Sequence, residues 1–284
     1  MKPVDSVEPA DCYASAAHLA AVVDQLRHDL GRHADSRPAV KVTGASPREC
    51  WFAALAVHHK AARLAAEWGA DPSTPIEHAP PVDKIKPGHV LQVIGAAHRH
   101  VDAVHKLAGH GHSHADAAPA RVASHTPSDV FGVLATLSRQ LDRLLEKPTT
   151  PGEVYQQVTL ALCYAERLCG DHAHAQPAFE AGKMPADCLN RLHEALDSAR
   201  ALIKKGGHPV IEHGSLGGDP AHVRPSDCYD LATMVLGEVA FLHALAPDAN
   251  PPAPYEHVGA GHKLPSHVYQ LSGALTATIA RISK

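Results

Sequence analysis

Histidine carries most of the chemistry this sequence offers, 24 of its 284 residues, and it occurs in three settings. The first is an alternating run, His110-Gly111-His112-Ser113-His114-Ala115-Asp116, with a shorter echo in Asp171-His172-Ala173-His174. Alternating imidazoles on a loop catch divalent metals, and imidazole suits Zn, Cu and Ni. The structural alternative is a solvated helix end, where His complements the negative C-terminal pole.

The second setting is a trio on one predicted helix. His98, Asp102 and His105 are spaced by four and then three residues, so they share a face. These are ligand types for one tetrahedral metal with a position left open. The alternative is a polar face beside the apolar stripe Val90, Val93, Ile94, Ala97, Val101 and Val104. His58 and His59 are adjacent and point in different directions, which puts one of them partly in the core.

The third setting is a Glu-His pair that recurs in proline-led connectors: Glu77-His78, Glu212-His213 and Glu256-His257. Its structural job would be a Glu that takes up free amides and a His that covers the bundle. A row of Glu and His ligands is the other reading.

Catalytic signatures are missing. His193-Glu194-Ala195-Leu196-Asp197 lacks the second His of a zinc-protease helix, and there is no phosphate loop or G-x-S-x-G elbow. No Glu-x-x-His pair of a di-iron bundle and no Cys-x-x-Cys-His haem site occurs either. No catalytic residue is assigned, and no cofactor beyond Zn, Cu or Ni ions.

Cysteine points to architecture. Four of the six cysteines, Cys12, Cys50, Cys188 and Cys228, occupy the same place in a phrase that occurs eight times. The phrase runs Pro, a small residue, usually an acid or His, then Cys or Val, then usually an aromatic or Leu. It begins at Pro9, Pro47, Pro87, Pro127, Pro151, Pro185, Pro225 and Pro265. A position that accepts Cys or Val is a small buried apolar slot. Disulfides Cys12–Cys50 and Cys188–Cys228 are the alternative, and they require both helix starts to lie at one end of a bundle.

The elements that must hold these residues follow from the phrase. Proline suits the first helical turn, and the acid sits at the positive helix pole, where it can also accept free amides. Apolar residues then recur every three or four positions. The sequence thus predicts eight helices near 9–30, 47–68, 87–108, 127–146, 151–169, 185–204, 225–246 and 265–282. Gly31, Gly69, Gly109, Gly170 and Gly206 are the expected left-handed stops.

The fold class expected is all-α, an eight-helix repeat bundle with one long helix and one long extended connector per unit of ~40 residues. The short link Lys147-Pro148-Thr149-Thr150 predicts an antiparallel hairpin of the fourth and fifth helices. The other connectors are long enough to return along a whole helix. The chain reads as a single helical-repeat domain, 1–284, with sub-halves 1–147 and 148–284.

The formal charge of −4 gives no reason to expect nucleic acid as a partner. No uninterrupted apolar run approaches the ~20 residues of a membrane span, and no cationic leader opens the chain. Low lysine content, 23 prolines and the disulfide option favour a periplasmic or extracellular location over a cytoplasmic one. The leading expectation is a non-catalytic, His-rich repeat protein that binds transition metals in the cell envelope or outside the cell. A scaffold for a protein partner or for self-association, with incidental histidines, is the second reading. An enzyme or cofactor carrier with a His-lined interhelical cleft is the third.

Overall fold

The computed structural model of the chain describes residues 3–74, 76, 80–109, 124–169, 177–213, 220–246 and 262–282. Among them are eight α-helices: α1 Pro9–Asp29, α2 Pro47–Glu67, α3 Pro87–Leu107, α4 Pro127–Asp142, α5 Pro151–Cys169, α6 Pro185–Lys205, α7 Pro225–Leu245 and α8 Pro265–Ile282. Two short strands, β1 Val42–Thr43 and β2 Glu212–His213, pair antiparallel, with Val42 opposite His213.

Every helix starts on the proline of a phrase, and the third residue of each phrase explains why. Its side chain reaches back to the amide of the residue before the proline. Asp11, Glu49, Asp129, Glu153, Asp187 and Asp227 accept from Glu8, Ser46, Thr126, Thr150, Met184 and Arg224, all at 2.7–2.9 Å. His89 and His267 do the same through Nδ1, accepting from Lys86 and Leu264 at 3.0 Å. An imidazole nitrogen accepts only when it carries no proton, so Nδ1 is the accepting nitrogen of each ring.

The chain clusters into two compact units, residues 1–147 with 211–214, and residues 148–210 with 215–284. In the first, α1 and α2 each pack on α3 and α4. In the second, α5 and α6 each pack on α7 and α8. Within each unit all four helices run the same way. Pro9, Pro47, Pro87 and Pro127 ring one end of the first bundle, with Cys12, Cys50, Val90 and Val130 as the layer beneath. Pro151, Pro185, Pro225 and Pro265 ring the second over Val154, Cys188, Cys228 and Val268.

Parallel helices need connectors that travel the full length of the bundle. Residues 33–45 do this along α4. His33 O accepts from Arg143, the Asp35 amide donates to Gln140, Pro38 O accepts from Arg139, and the Ala45 amide donates to Ser128 Oγ. The α4 partners fall from 143 to 128 as the connector rises from 33 to 45. In the second unit Pro177 O accepts from Gln270 of α8 and the Lys183 amide donates to Ser266.

Parallel packing also gathers four positive helix poles at one end, which is unfavourable unless offset. Each unit places three carboxylates and one imidazole acceptor there, so the recurring acid answers an electrostatic need as well as a capping one.

The cores are aliphatic. Leu19, Leu26, Leu64, Ile94, Leu134, Leu137 and Leu141 are fully buried in the first unit, as are Leu192, Leu196 and Ile203 in the second. Each contributes ~1.5–3 kcal/mol relative to exposure. By length and composition α7 is apolar enough to cross a membrane, with a mean hydropathy of 1.3 over its most apolar window, although 78% of that window is buried within the protein. Its apolarity matches that burial: every residue from Leu231 to Phe241 is buried, Thr233 and Glu238 included.

Two details depart from the sequence expectation. α4 stops at Asp142 rather than near 146, because the amides of Glu146 and Lys147 are taken by the carboxylate of Glu67 at the end of α2. The left-handed residue after α6 is Gly207, with φ +81°, and Gly206 remains at φ −75°.

Candidate metal site

The seam between α1 and α3 holds the first histidine cluster. His98 of α3 is one turn before Asp102, and its Nδ1 lies 3.0 Å from Asp102 Oδ2. Across the seam is His18 of α1, its ring stacked on that of His98 with centroids 5.0 Å apart and planes 12° apart. His18 Nδ1 and His98 Nε2 are both buried without a hydrogen-bond partner. Burial lowers the pKa of His18, and His98 adds to the effect. The neutral ring therefore keeps a lone pair to offer. Asp102 is held below the usual carboxylate range mainly by His98, against the opposing effect of its own burial.

His105, one turn further along α3, is not part of this group. It is 2% exposed, and its Nε2 lies 3.1 Å from the carbonyl oxygen of Val22, onto which it donates. Of the trio expected from the sequence, the structure brings His98 and Asp102 together and turns His105 into the core. The partner that sequence reasoning missed is His18. Its only signal was its place on a helix with no other His near it in sequence, and spacing along one chain segment cannot register a neighbour from another helix.

The seam between α2 and α3 holds a second pair, His58 and His100, with ring centroids 5.1 Å apart and planes tilted by 56°. His100 is 1% exposed. Both Nε2 atoms are buried and without partner. Burial, then His100, pushes the pKa of His58 down to about 4, while the backbone of Thr74 opposes this by hydrogen bonding. His59 is half-buried, so both neighbours of this adjacent pair are partly covered.

The cysteine pairs considered from the sequence are not bonded. Cys12, Cys50, Cys188 and Cys228 are free and buried. Each thiol donates to a proline carbonyl of another helix: Cys12 to Pro87, Cys50 to Pro127, Cys188 to Pro265 and Cys228 to Pro185, at 3.1–3.2 Å. Proline carbonyls at helix starts are ready acceptors, which gives the Cys/Val slot a polar job where Cys fills it. The argument for an oxidising compartment loses its disulfide component.

Among the described residues no three His, Cys, Asp or Glu side chains converge on a point that could hold a metal ion. The clusters present are pairs. Glu212 is exposed, and only the backbone of His213 is described. The run His110, His112, His114 and Asp116, the pair His172 and His174, and the connector residues Glu77, His78, Glu256 and His257 lie outside the described residues.

The chain was compared with protein-family models, with curated proteins and with solved structures, and no match was found in any of the three. What it does must be argued from its own residues.

Proposed function

We propose that this chain is a non-catalytic helical protein built from two copies of a parallel four-helix unit, the first of which binds transition-metal ions. The observation that carries the reading is the His18–His98 pair. Two buried ring nitrogens without partners lie at one seam, with the carboxylate of Asp102 behind His98. A carboxylate that holds the far nitrogen of an imidazole orients a metal-binding His and raises its basicity. His98 keeps 20% of its side chain exposed, so the site borders solvent although Nε2 itself is buried.

The repeat supplies an internal control. Unit by unit the helices correspond as α1 to α5, α2 to α6, α3 to α7 and α4 to α8. Counted from the starting prolines, His18 then matches Leu160, His98 matches Leu236 and His58 matches Leu196. Leu236 and Leu196 are buried. Packing at these positions is thus met by leucine, and histidine costs desolvation there. Function rather than fold accounts for histidine at three such positions. At one position the two units agree: His105 matches His243, and both are buried, as befits a structural histidine.

The test is Zn(II) titration of protein purified without a metal-affinity step, with a metal analysis of the material as isolated. Binding should survive in wild type, be lost at this site in His98→Gln, and weaken by ~10–100-fold in Asp102→Asn. Wild-type binding weaker than about 100 μM would overturn the proposal and leave the partner-binding scaffold as the better reading.

A further inference from the structure

The connectors that lead into α2 and α6 hold one register. Counted back from Pro47 and Pro185, Gly44 matches Gly182, and both are left-handed, with φ +71° and +79°. The amides that follow, of Ala45 and Lys183, donate to Ser128 and Ser266, each the second residue of its helix, at 3.2 and 3.1 Å. In the first unit this connector is occupied. Val42 and Thr43 pair with His213 and Glu212, and the same register sets Ile211, 0% exposed, opposite Gly44. The matching residues of the second unit, Glu180 and Ala181, are exposed and pair with no strand among the described residues.

We infer that this edge of the second unit docks a second copy of the chain, through the Pro75-Ile76-Glu77-His78 segment of that copy. An exposed extended edge accepts an added strand by main-chain bonds, and side-chain contacts choose which strand. The inference stands apart from metal binding.

Two observations select the occupant. The first is the pairing already made in the first unit, where such a connector takes a proline-led Ile-Glu-His. That phrase recurs at Pro75, of which Ile76 alone is among the described residues, whereas Tyr255-Glu256-His257 lacks the isoleucine. The second is the chemistry around the edge. Phe179, Met184 and Leu264 are 49%, 64% and 47% exposed, three of the five large apolar side chains that stand in solvent among the described residues. The Phe179 ring lies 5.1 Å from that of His267, whose Nδ1 accepts the Leu264 amide, and Met184 follows Lys183, which is bonded to Ser266. Their counterparts in the first unit are Lys41, Ser46 and Thr126, so the fold does not require apolar residues there. Cations rim the patch. Lys183 and Arg191 lie on the Tyr269 ring at 4.2 and 3.8 Å, and Lys263 precedes Leu264. Lys183 is paired with Glu180, while Arg191 and Lys263 have no carboxylate partner among the described residues. Ile76 suits the apolar side chains and Glu77 the cations. Each copy gives one segment and takes one, so the contact is head-to-tail.

The experiment is sedimentation equilibrium of the full, tag-free protein with a chelator present, which removes metal bridging between histidines. Wild type should associate reversibly between ~1 and ~500 μM, as a small interface does. Phe179→Lys, which installs the first unit's residue at an exposed position, should weaken association ~10-fold or more. Ile76→Asp should do the same. Mixed, the two variants should form a heterodimer and nothing larger, because one intact segment and one intact edge remain. The peptide Thr-Pro-Ile-Glu-His-Ala-Pro, residues 74–80, should dissociate wild type and shift the amide resonances of Glu180 and Ala181. A wild type that stays monomeric overturns the inference, as does association that Phe179→Lys leaves unchanged. Association lost in Phe179→Lys but kept in Ile76→Asp rejects this occupant in favour of contact between two Phe179 patches. The peptide needs no variant: resonances that stay in place overturn the inference even if a variant does not fold.

Discussion

The Cys12 thiol donates to the carbonyl of Pro87, 3.1 Å away, and so ties the first turn of α1 to the first turn of α3. The same bond recurs from Cys50 to Pro127, from Cys188 to Pro265 and from Cys228 to Pro185. Burial pushes the Cys12 and Cys188 thiols up to about 12, and it raises Cys50 and Cys228 as well. Thiols of this kind neither ionise nor react at neutral pH. Alkylation under denaturing, non-reducing conditions should count six free thiols. In the native state the half-buried Cys163 and Cys169 should react first and these four last. A count below six would restore the Cys12–Cys50 or Cys188–Cys228 disulfide.

The capping carboxylates should be individually measurable. Asp129 accepts from both the amide and the hydroxyl of Thr126, which hold its carboxyl below the usual range. Asp129→Ala should cost ~1 kcal/mol in urea unfolding. Asp129→Asn keeps an acceptor oxygen but loses the charge at the helix pole, so it should cost less. Equal losses would mean that the backbone bond is unimportant and charge alone acts.

These caps are also why so much of the fold could be read from the chain. Proline at the first helical position and an acceptor two residues later are local devices, so all eight starts, from Pro9 to Pro265, were legible. Ends were less so, because they depend on distant residues: α4 is cut short by Glu67, 79 residues earlier than the Glu146 amide it binds. The site divided in the same way. His98 with Asp102 is an intrahelical pair and was visible. His18 with His98 and His58 with His100 are contacts across helices, and no spacing in one segment encodes them. His105 shared the face of His98 by spacing, yet its ring turned to Val22.

Lys60 and Asp142 form an ion pair with almost no solvent. Nζ and Oδ2 are 2.8 Å apart, and the side chains are 0% and 9% exposed. Asp142 closes α4, so this bond pins the end of that helix to the middle of α2. Removing one partner strands the other charge, and Asp142→Ala should cost ~3–5 kcal/mol. The double variant Lys60→Met with Asp142→Leu, which leaves no charge behind, should recover much of that loss. Thermal unfolding of wild type and the two variants checks it: a double variant as unstable as Asp142→Ala would mean that packing around the pair, and not its charge, carries the stability.

The His89 cap should make stability depend on pH. His89 accepts the Lys86 amide through Nδ1, and a proton on that nitrogen breaks the bond. Burial first, and then Lys86, lowers its pKa from the ordinary 6.5, with Asp5 opposing them. The unfolded chain therefore binds protons at a pH where the folded one does not. Stability is fully present above ~6.5 and is lost as pH falls through the lower folded value. In metal-free protein His58 acts in the same direction, down to about 4. Urea unfolding at pH 7.5, 6 and 5 should give a falling free energy. His89→Asp, which installs the acceptor used at the other phrases of the first unit, should flatten part of that fall without lowering stability at pH 7.5. An unchanged slope in His89→Asp would assign the pH dependence to the buried histidines of the seams and remove the cap from the account.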